Sequence, residues 1–377
     1  MKVMFSAGEA SGDVHGASLA REILKISPET ELIGFGGDLM TKAGVRLFKN
    51  FKDYNIMGVW EVIKNLRRIF KLLDQLTEFM SNERPDLLVL IDYPDFNWRL
   101  AKRAKKLGIK VFSYIPPSAW AWRKGRAADC AKIADEFVAI FPFETKVYEE
   151  AGANISFVGN PLVDTVKPSM SKSEARKFFN VNESDHIILL MPGSRKQEIN
   201  LLLSPMLESA KILSVKKPAT KFFMPIASGV NVSIINNMIK ESGVNITTVN
   251  DCRYDLMSIA DAAMATSGTV VLEAALLNLP CVVLYKMAKF NYLIAKQFVH
   301  IDYFSLPNIL LNQKILPELL QDDVQPDIIV NEILQLYRGQ PHREEVINNL
   351  KTACAKLGSP GSAQRVAQKI LDAAAIK

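Results

Sequence analysis

Short apolar runs alternate with longer amphipathic patterns along almost the whole of this 377-residue chain. Runs as apolar as DLLVLID (86–92) and HIILLMPG (186–193) are typical of strands covered on both faces, as in a parallel sheet with helices on each side. The alternation therefore predicts a doubly wound α/β protein. Strands are predicted at 2–7, 31–35, 86–92, 110–115, 136–140, 155–159, 186–193, 221–227, 246–249, 262–268 and 280–285.

The alternation restarts near residue 186, after a polar segment, and the chain is too long for one small core. We therefore predict two doubly wound Rossmann-like domains, with the ligand in the cleft where the carboxyl ends of their strands face each other. The predicted parts are an N-terminal domain at 1–166, a linker at 167–185, a C-terminal domain at 186–358, and a helix at 359–377 that packs across the domains or onto a partner subunit.

Composition excludes several classes of protein. Lys and Arg outnumber Asp and Glu by 46 to 40, a mild excess compatible with a phosphorylated substrate or an anionic membrane surface. The four cysteines form no CxxC pair and the four histidines no metal-ligand spacing, so neither a disulfide framework nor a metal site is predicted. The sequence shows no secretory signal and no spanning apolar run, and we expect a cytoplasmic protein that can still contact a membrane.

The turn after the first strand reads AGEASGDVHG (7–16). Its glycines permit a tight loop, and the free amides of the helix that follows can bind an anion. A plain turn capped by Ser11 or Asp13 also explains the glycines, but it gives no reason for Glu9. We predict Glu9 as a catalytic group. The predicted substrate-binding residues here are Gly8, Ser11, Gly12 and Asp13.

A second candidate site follows the strand LVLID, which runs directly into Asp92 and then PDFNW. Asp95 is interpreted as the N-cap of the next helix. Asp92 ends a buried strand, where a carboxylate needs hydrogen bonds or a substrate, and we predict that it is the general base. The alternative is that Asp92 only caps the amides of its loop.

Two segments combine aromatic with basic residues: IPPSAWAWRKGRA (115–127) and the helical pattern at 58–80. Nucleic acid is an unsuitable ligand because the basic residues form no long face, whereas an amphiphilic phosphate-bearing substrate fits. The helix can rest on an anionic lipid surface, although an ordinary core-facing helix explains the same pattern. The predicted membrane- or acyl-side residues are Trp60, Lys64, Arg67, Trp120, Trp122 and Arg123.

The second half carries two phosphate-type loops, MPGSRKQEI (191–199) and ATSGTVVLE (265–273). The Arg195 guanidinium suits phosphate oxygens, while Glu198 either contacts the ligand or completes a capping box. Amides at the second loop can hold a diphosphate, and Glu273 can accept ribose hydroxyls, although a capped core helix with one exposed Glu is the alternative. The two loops favour a nucleotide, and the residues predicted to bind it are Gly193, Ser194, Glu198, Ser267, Gly268, Thr269 and Glu273, with Arg195 as a catalytic group.

Taken together, the chain resembles the lipid A disaccharide synthase family. The segments that carry the resemblance appear in the family's order over nearly the whole chain: AGEASGD, MGVWEV, IDYPDFN, PPSAWAWR, PGSRxxE, SGTxxLE and SLPN. The resemblance implies a GT-B fold without a cofactor, a membrane- and acceptor-side first domain and a UDP-sugar-binding second domain. It also implies transfer of 2,3-diacylglucosamine from its UDP donor to the 6-hydroxyl of 2,3-diacylglucosamine 1-phosphate, which gives a β-1,6 disaccharide 1-phosphate and UDP.

By the same likeness Asp92 matches the family's essential acid, Arg195 its essential arginine, and Asn308 an asparagine near the site. The resemblance further implies a peripheral protein on the inner membrane and a homodimer that exchanges C-terminal segments. In one departure, this chain has Gly159-Asn160-Pro161 where relatives usually have Gly-His-Pro. If that histidine contacts ligand, Asn160 must substitute for it.

Two other classes of protein remain open. A non-hydrolysing UDP-sugar epimerase would share the two-domain fold, but that family resembles GTRPE at the first turn, where this chain has GEASGD. A non-catalytic, nucleotide-dependent membrane adaptor would not need Asp92. Acceptor-dependent release of UDP distinguishes both from a transferase.

Overall fold

The structure is a computed structural model that describes residues 1–54, 59–118, 125–227, 229–288, 291–292 and 301–375, with the backbone alone at 59–66 and 125–126. The chain divides into two compact units. The first comprises Met1–Pro161 together with Ser359–Lys377, and the second comprises Leu162–Gly358.

Each unit is built on a parallel sheet whose strand order reverses once. The first sheet has the order β3-β2-β1-β4-β5-β6-β7, and the second has the order β10-β9-β8-β11-β12-β13. Both are doubly wound Rossmann-like orders. The strands are β1 Lys2–Ala7, β2 Glu31–Gly36, β3 Arg46–Asn50, β4 Leu87–Ile91, β5 Lys110–Tyr114, β6 Glu136–Ala139, β7 Ile155–Phe157, β8 His186–Met191, β9 Thr220–Pro225, β10 Ile246–Val249, β11 Ala262–Thr266, β12 Cys281–Tyr285 and β13 Glu318–Leu320.

The helices lie between the strands, as expected for crossover connections of parallel strands. They are α1 Ala10–Ile26, α2 Asp38–Lys42, α3 Val59–Glu83, α4 Pro94–Lys106, α5 Gly125–Ala131, α6 Pro142–Glu150, α7 Leu162–Thr165, α8 Lys172–Phe178, α9 Lys196–Lys216, α10 Val232–Ser242, α11 Arg253–Ile259, α12 Thr269–Leu276, α13 Leu306–Leu311, α14 Pro326–Gln335, α15 Pro341–Ala355 and α16 Ser362–Ala375. Single 3-10 turns lie at Phe51–Tyr54 and Gln321–Asp323.

The first sheet is covered on both faces, which is why its central strands β1 and β4 are almost entirely buried. Alternate residues of β1 and β4 enter two different cores. One core contains residues of α1 and α16, including Ile23 and Ile370, and the other contains residues of α3 and α4, including Leu76 and Leu100. The chain's last helix is therefore part of the first unit's core.

The segment 167–185, predicted as a linker, is part of the second unit. The carboxylate of Asp255, which is 3% exposed, accepts hydrogen bonds from the backbone amides of Ser169 at 2.7 Å and Met170 at 2.6 Å. Helix α8 lies in the same segment and packs against α11. The segment is polar in sequence, but buried hydrogen bonds fix it to the second unit.

Two further observations concern only the described part of the chain. None of its helices is both long and apolar enough to cross a membrane. Within the same residues, no group of three or more His, Cys, Asp or Glu side chains is arranged to hold a metal ion.

Candidate active site

The predicted site residues gather where the strand order of each sheet reverses. The reversal falls between β1 and β4, where Ala7 pairs with Ile91, and between β8 and β11, where Met191 pairs with Ala265. The loops that leave these four strands therefore start side by side in each unit. Open α/β sheets bind their ligands at this position.

Asp92 lies in the loop after β4 with a backbone conformation that few residues other than glycine adopt. Its φ is 49°, and that of Tyr93 is 53°. The buried side chain of Asn97 holds the loop, because its amide donates a 2.6 Å hydrogen bond to the Asp92 carbonyl and accepts one of 2.7 Å from the Ser6 hydroxyl. Two adjacent left-handed residues that are held in this way are typical of a functional site.

The Asp92 side chain is half-buried. Burial raises the pKa of its carboxyl above the ordinary 3.8, and a hydrogen bond from the backbone of Tyr93 offsets this only in part. A partly desolvated carboxylate is a stronger base than one in water. The prediction that Asp95 is the N-cap of α4 is wrong, because Tyr93 takes that position and Asp95 lies exposed in the first turn.

Some of the residues predicted to bind ligand in the turn after β1 have structural roles instead. Asp13, predicted to bind substrate, is 5% exposed, and its carboxylate accepts hydrogen bonds from three backbone amides at the start of α2. Asp13 is therefore a structural cap, which corrects the prediction. Gly12 is also buried, and an added Cβ would lie 3.1 Å from that of Ala7, so this glycine serves the packing of α1.

The other residues of this turn remain accessible. Glu9 and Ser11 are exposed at the start of α1. Gly8 is required because a Cβ there would lie 2.2 Å from the ring of Tyr93. The close approach of ring and turn places Tyr93 and Glu9 in the lining of one groove, and the negative charge of Glu9 helps burial to raise the pKa of the Tyr93 phenol.

That groove, which we call the α3–α4 groove, has a volume of 810 Å³ in the first unit. It combines apolar and basic side chains, and the Arg99 guanidinium lies 5.4 Å from the ring centre of Phe70. Its lining comprises Glu9, Ile69, Phe70, Leu73, Tyr93, Pro94, Asp95, Phe96, Trp98, Arg99, Lys102, Arg103 and Lys106. A site with both characters suits an amphiphilic anion.

The predicted membrane-side residues are only partly described. Arg67 is exposed on α3. The side chains of Trp60 and Lys64, and residues Trp120, Trp122 and Arg123, lie outside the described residues.

The second unit has a cavity of 310 Å³, which we call the switch-point cavity. Eight predicted residues line it: Gly193, Ser194, Arg195, Glu198, Ser267, Gly268, Thr269 and Glu273. The Arg195 side chain is 83% exposed and donates a 2.9 Å hydrogen bond to Glu198. A largely free guanidinium at a cavity is well suited to phosphate oxygens.

Glu198, predicted as a UDP ligand, mainly caps α9. Its Oε2 accepts hydrogen bonds from the backbone amides of Ser194 and Arg195, each at 3.1 Å. The capping alternative is therefore the one observed, and these two amides are occupied. Of this loop, the Arg195 side chain rather than the backbone is available to an anion.

Ser267 is also engaged by the protein. Its amide donates to the carbonyl of Leu284 and its hydroxyl to that of Phe304, both at 3.0 Å. Gly268 and Thr269 are exposed at the start of α12, where the first amides of a helix have no intrahelical partner. Of the backbone amides predicted to donate to a diphosphate in this loop, those of Gly268 and Thr269 therefore remain available.

Glu273 lies one turn into α12 and is 8% exposed, so the alternative of an exposed Glu is wrong. Its Oε1 accepts hydrogen bonds from the Arg253 guanidinium at 3.0 Å and the Tyr254 hydroxyl at 3.1 Å. Burial raises the pKa of Glu273, while the charge of Arg253 and the hydrogen bond from Tyr254 lower it. Sequence analysis missed Arg253, which lines the same cavity. Its position shortly after β10 is the feature of the sequence that could have identified Arg253 as a site residue.

Asn308, predicted to contact ligand, is fully buried and saturated by the protein. Its amide donates to the Leu316 carbonyl at 3.0 Å and to Glu318 at 2.8 Å, and its carbonyl accepts from the amides of Ile315 and Leu316. An asparagine side chain has no further hydrogen-bonding capacity than this. Asn308 therefore fixes the connection from α13 to β13, which corrects the prediction. Asn160, in the family's histidine position, is 1% exposed and donates to the Ile140 carbonyl at 2.9 Å.

Solved structures share this fold at low sequence identity. UDP-GlcNAc 2-epimerase from Neisseria meningitidis has a TM-score of 0.66 and 13% identity, covering 99% of this chain and 100% of that one. A glycosyltransferase from Rickettsia africae has a TM-score of 0.59 and 13% identity, covering 98% of both chains. The predicted GT-B fold is confirmed, and the likeness to the epimerase is one of fold alone.

Comparison of sequences is more specific. A family model described as "Lipid-A-disaccharide synthetase" matches residues 3–369. The lipid-A-disaccharide synthase of Geobacter metallireducens is 40% identical over 371 residues, covering 98% of this chain and 97% of the relative. That of Syntrophus aciditrophicus is 40% identical over 367 residues, covering 97% and 96%. The chain belongs to the lipid-A-disaccharide synthase family.

Proposed function

We propose that this chain transfers 2,3-diacylglucosamine from its UDP donor to the 6-hydroxyl of 2,3-diacylglucosamine 1-phosphate. Membership of the family makes it a glycosyltransferase of the hexosyltransferase class. The observation that carries the detailed proposal is the division of groups between the units. A half-buried carboxylate, Asp92, lies at the strand-order reversal of the first, and a cavity lined by Arg195 and Glu273 lies at that of the second.

The switch-point cavity is the proposed site of the donor's nucleotide. The Arg195 guanidinium and the amides of Gly268 and Thr269 are suited to bind the diphosphate. Glu273, one helical turn further, is suited to accept the ribose hydroxyls. The positive charge of Arg195 and the amides of Gly268 and Thr269 can then stabilise the negative charge that develops on the departing UDP.

The α3–α4 groove is the proposed site of the acceptor. Its apolar side chains Ile69, Phe70 and Trp98 suit acyl chains, and the exposed Lys102 and Lys106 suit the 1-phosphate. Glu9 lines the same groove and is proposed to orient the acceptor.

Asp92 is the proposed general base. Its carboxylate removes the proton from the 6-hydroxyl as that oxygen forms a bond to the anomeric carbon of the donor. The bond from this carbon to the diphosphate breaks, and UDP leaves with the bonding electrons. Attack opposite the leaving group gives the β-1,6 linkage by inversion.

We further propose a cytoplasmic protein, peripheral on the inner membrane and homodimeric, that requires no cofactor. The family resemblance supports the dimer with exchanged C-terminal segments. The basic and apolar character of the α3–α4 groove supports contact with an anionic lipid surface.

Release of UDP from the diacylated donor, measured with and without the acylated acceptor, tests the proposal. Release that depends on the acceptor is expected, with a disaccharide 1-phosphate as the second product. Inversion of the donor sugar without acceptor would instead support an epimerase. Nucleotide binding without turnover would support an adaptor.

A further inference from the structure

We infer that Arg253 and Tyr254 are positioning residues that orient Glu273 toward both ribose hydroxyls, so that the second unit selects ribonucleotides over 2′-deoxyribonucleotides. The inference rests on the proposed function, because it takes a uridine nucleotide as the ligand of the switch-point cavity. It assigns a purpose to two residues of α11 for which the proposed transfer chemistry has no use.

Two hydrogen bonds from the described part of the protein reach the Glu273 carboxylate, and both go to the same oxygen. Arg253 Nη2 at 3.0 Å and the Tyr254 hydroxyl at 3.1 Å both donate to Oε1. Among the described residues, none donates a hydrogen bond to Oε2. An ionised carboxylate has about four acceptor positions, so two protein donors leave about two, the number that two neighbouring hydroxyls need.

The three side chains hold one another. Arg253 Nη2 also donates to the Tyr254 hydroxyl at 2.7 Å, and its guanidinium lies 4.7 Å from the centre of the Tyr254 ring. Each group therefore contacts both others, which restricts the rotamer of Glu273. The positive charge of Arg253 also favours the ionised form of the Glu273 carboxyl against the effect of burial, and the ionised form has acceptor positions for both hydroxyls.

A direct contact between Arg253 and the diphosphate is the competing role, because the Arg253 side chain is 50% exposed and lines the same cavity. The two roles differ in what a variant loses. An arginine that binds phosphate contributes equally to the affinity for UDP and for 2′-deoxy-UDP. A residue that positions Glu273 contributes mainly to the affinity for UDP, the nucleotide that has the 2′-hydroxyl.

The experiment is calorimetric titration of the full chain with UDP and with 2′-deoxy-UDP. The variants are Arg253→Met, Arg253→Lys and Tyr254→Phe. Arg338→Met is the matched control, because Arg338 is 45% exposed and pairs at 3.0 Å with a buried acid of the same unit, Asp261, outside the cavity.

We expect the wild type to prefer UDP by at least about tenfold, since a site that binds a hydroxyl rejects the analogue without it. The preference should fall to within about threefold in Arg253→Met, take intermediate values in Arg253→Lys and Tyr254→Phe, and persist in the control. Should Arg253→Met not fold, Tyr254→Phe decides, because it removes a single hydroxyl.

Three results would overturn the inference while leaving the proposed function intact. The first is a wild type that binds both nucleotides with equal affinity. The second is a preference for UDP that persists undiminished in Arg253→Met and Tyr254→Phe. The third is an Arg253→Met variant whose affinities for UDP and 2′-deoxy-UDP fall by the same factor. A wild type that binds neither nucleotide would overturn the proposed function and the inference with it.

Discussion

Asp92 and Asp13 show how the surroundings of a residue decide its chemistry. Asp92 was predicted as a site residue because it ends a buried strand, and Asp13 because it lies in the glycine-rich turn and helix start that follow the first strand. The Asp13 carboxylate is occupied by three backbone amides, whereas Asp92 is half-buried with a raised pKa. The sequence locates each acid after a predicted strand. It cannot show that the backbone amides of Gly37, Leu39 and Met40 donate hydrogen bonds to the Asp13 carboxylate.

Replacing Asp92 by Asn should abolish most of the transfer without destabilising the protein. Loss of a general base typically costs about 10²–10⁴-fold in rate. The folded state holds this carboxylate with a raised pKa, so its ionised form at neutral pH does not favour folding, and the neutral amide should leave the thermal midpoint equal or higher. The measurements are acceptor-dependent UDP release and thermal unfolding.

Asp86→Asn is the matched control, because Asp86 is an exposed aspartate at the opposite end of the same strand, β4, and lines neither the groove nor the cavity. Its rate should stay within about twofold of the wild type, as is usual for exposed substitutions. Near-normal turnover in Asp92→Asn would refute the assignment of the base.

The turnover number should fall at low pH with an apparent pKa above the ordinary aspartate value of 3.8. The base must be ionised, and burial makes protonation easier, so activity is lost as pH falls through this raised value. Turnover at saturating substrates is the quantity to measure, because the raised pKa of Glu273 affects donor binding. A turnover number that stays constant down to pH 3.8 would contradict the assignment.

Arg195→Ala should weaken UDP binding or turnover by more than about tenfold, as expected for a charge-assisted phosphate contact of about 1.5–3 kcal/mol. The side chain is largely exposed, so the fold should be unaffected. Lys196→Ala, at the next exposed position, is the control. Equal UDP titrations and rates for both variants would remove Arg195 from the site.

At the scale of elements, the strands inside each sheet follow from their apolar sequences, whereas two of the four edge strands do not. All eleven predicted strands are present, but β3 and β13 were missed. Both lie at a sheet edge, and their sequences, RLFKN and ELL, lack the apolar runs of strands covered on both faces. Eight predicted residues line one cavity because they follow the central strands β8 and β11. Asn308 was misassigned because its four hydrogen bonds depend on the missed connection to β13.

Asn308→Ala should therefore reduce stability. Four buried hydrogen bonds are lost and their backbone partners are left unsatisfied, at a cost of roughly 2–4 kcal/mol of unfolding free energy. The midpoint of urea unfolding measures this. Gln313→Ala, an exposed amide in the same connection, should have little effect. An unchanged midpoint together with weakened nucleotide binding would restore Asn308 as a ligand.

At the scale of the whole molecule, a formal net charge of +6 favours anionic surfaces, and the α3–α4 groove combines exposed lysines with apolar residues. Charge attracts the protein to such a surface, and apolar side chains retain it there. Neither property depends on the chemistry of transfer. Membrane association can therefore be tested without substrate.

The protein should bind vesicles that contain anionic phospholipid and detach at high salt. Lys102→Gln with Lys106→Gln should reduce binding about thirtyfold, because each lysine near an anionic surface contributes about 1 kcal/mol. The control is Lys211→Gln with Lys216→Gln, an exposed pair on α9 of the second unit. Co-sedimentation measures the bound fraction. Equal binding of the two double variants would exclude the groove as the contact surface.

The return of α16 to the first unit has a consequence for biosynthesis. Val366 and Ile370 are fully buried in the core that contains α1. Residues 1–161 leave the ribosome first, yet they cannot bury this apolar face until the last helix has been translated. The contiguous segment 162–358 has no such dependence. The first unit is therefore completed only after the second has been translated, and a chain stalled before Ser362 exposes the interior of its N-terminal half.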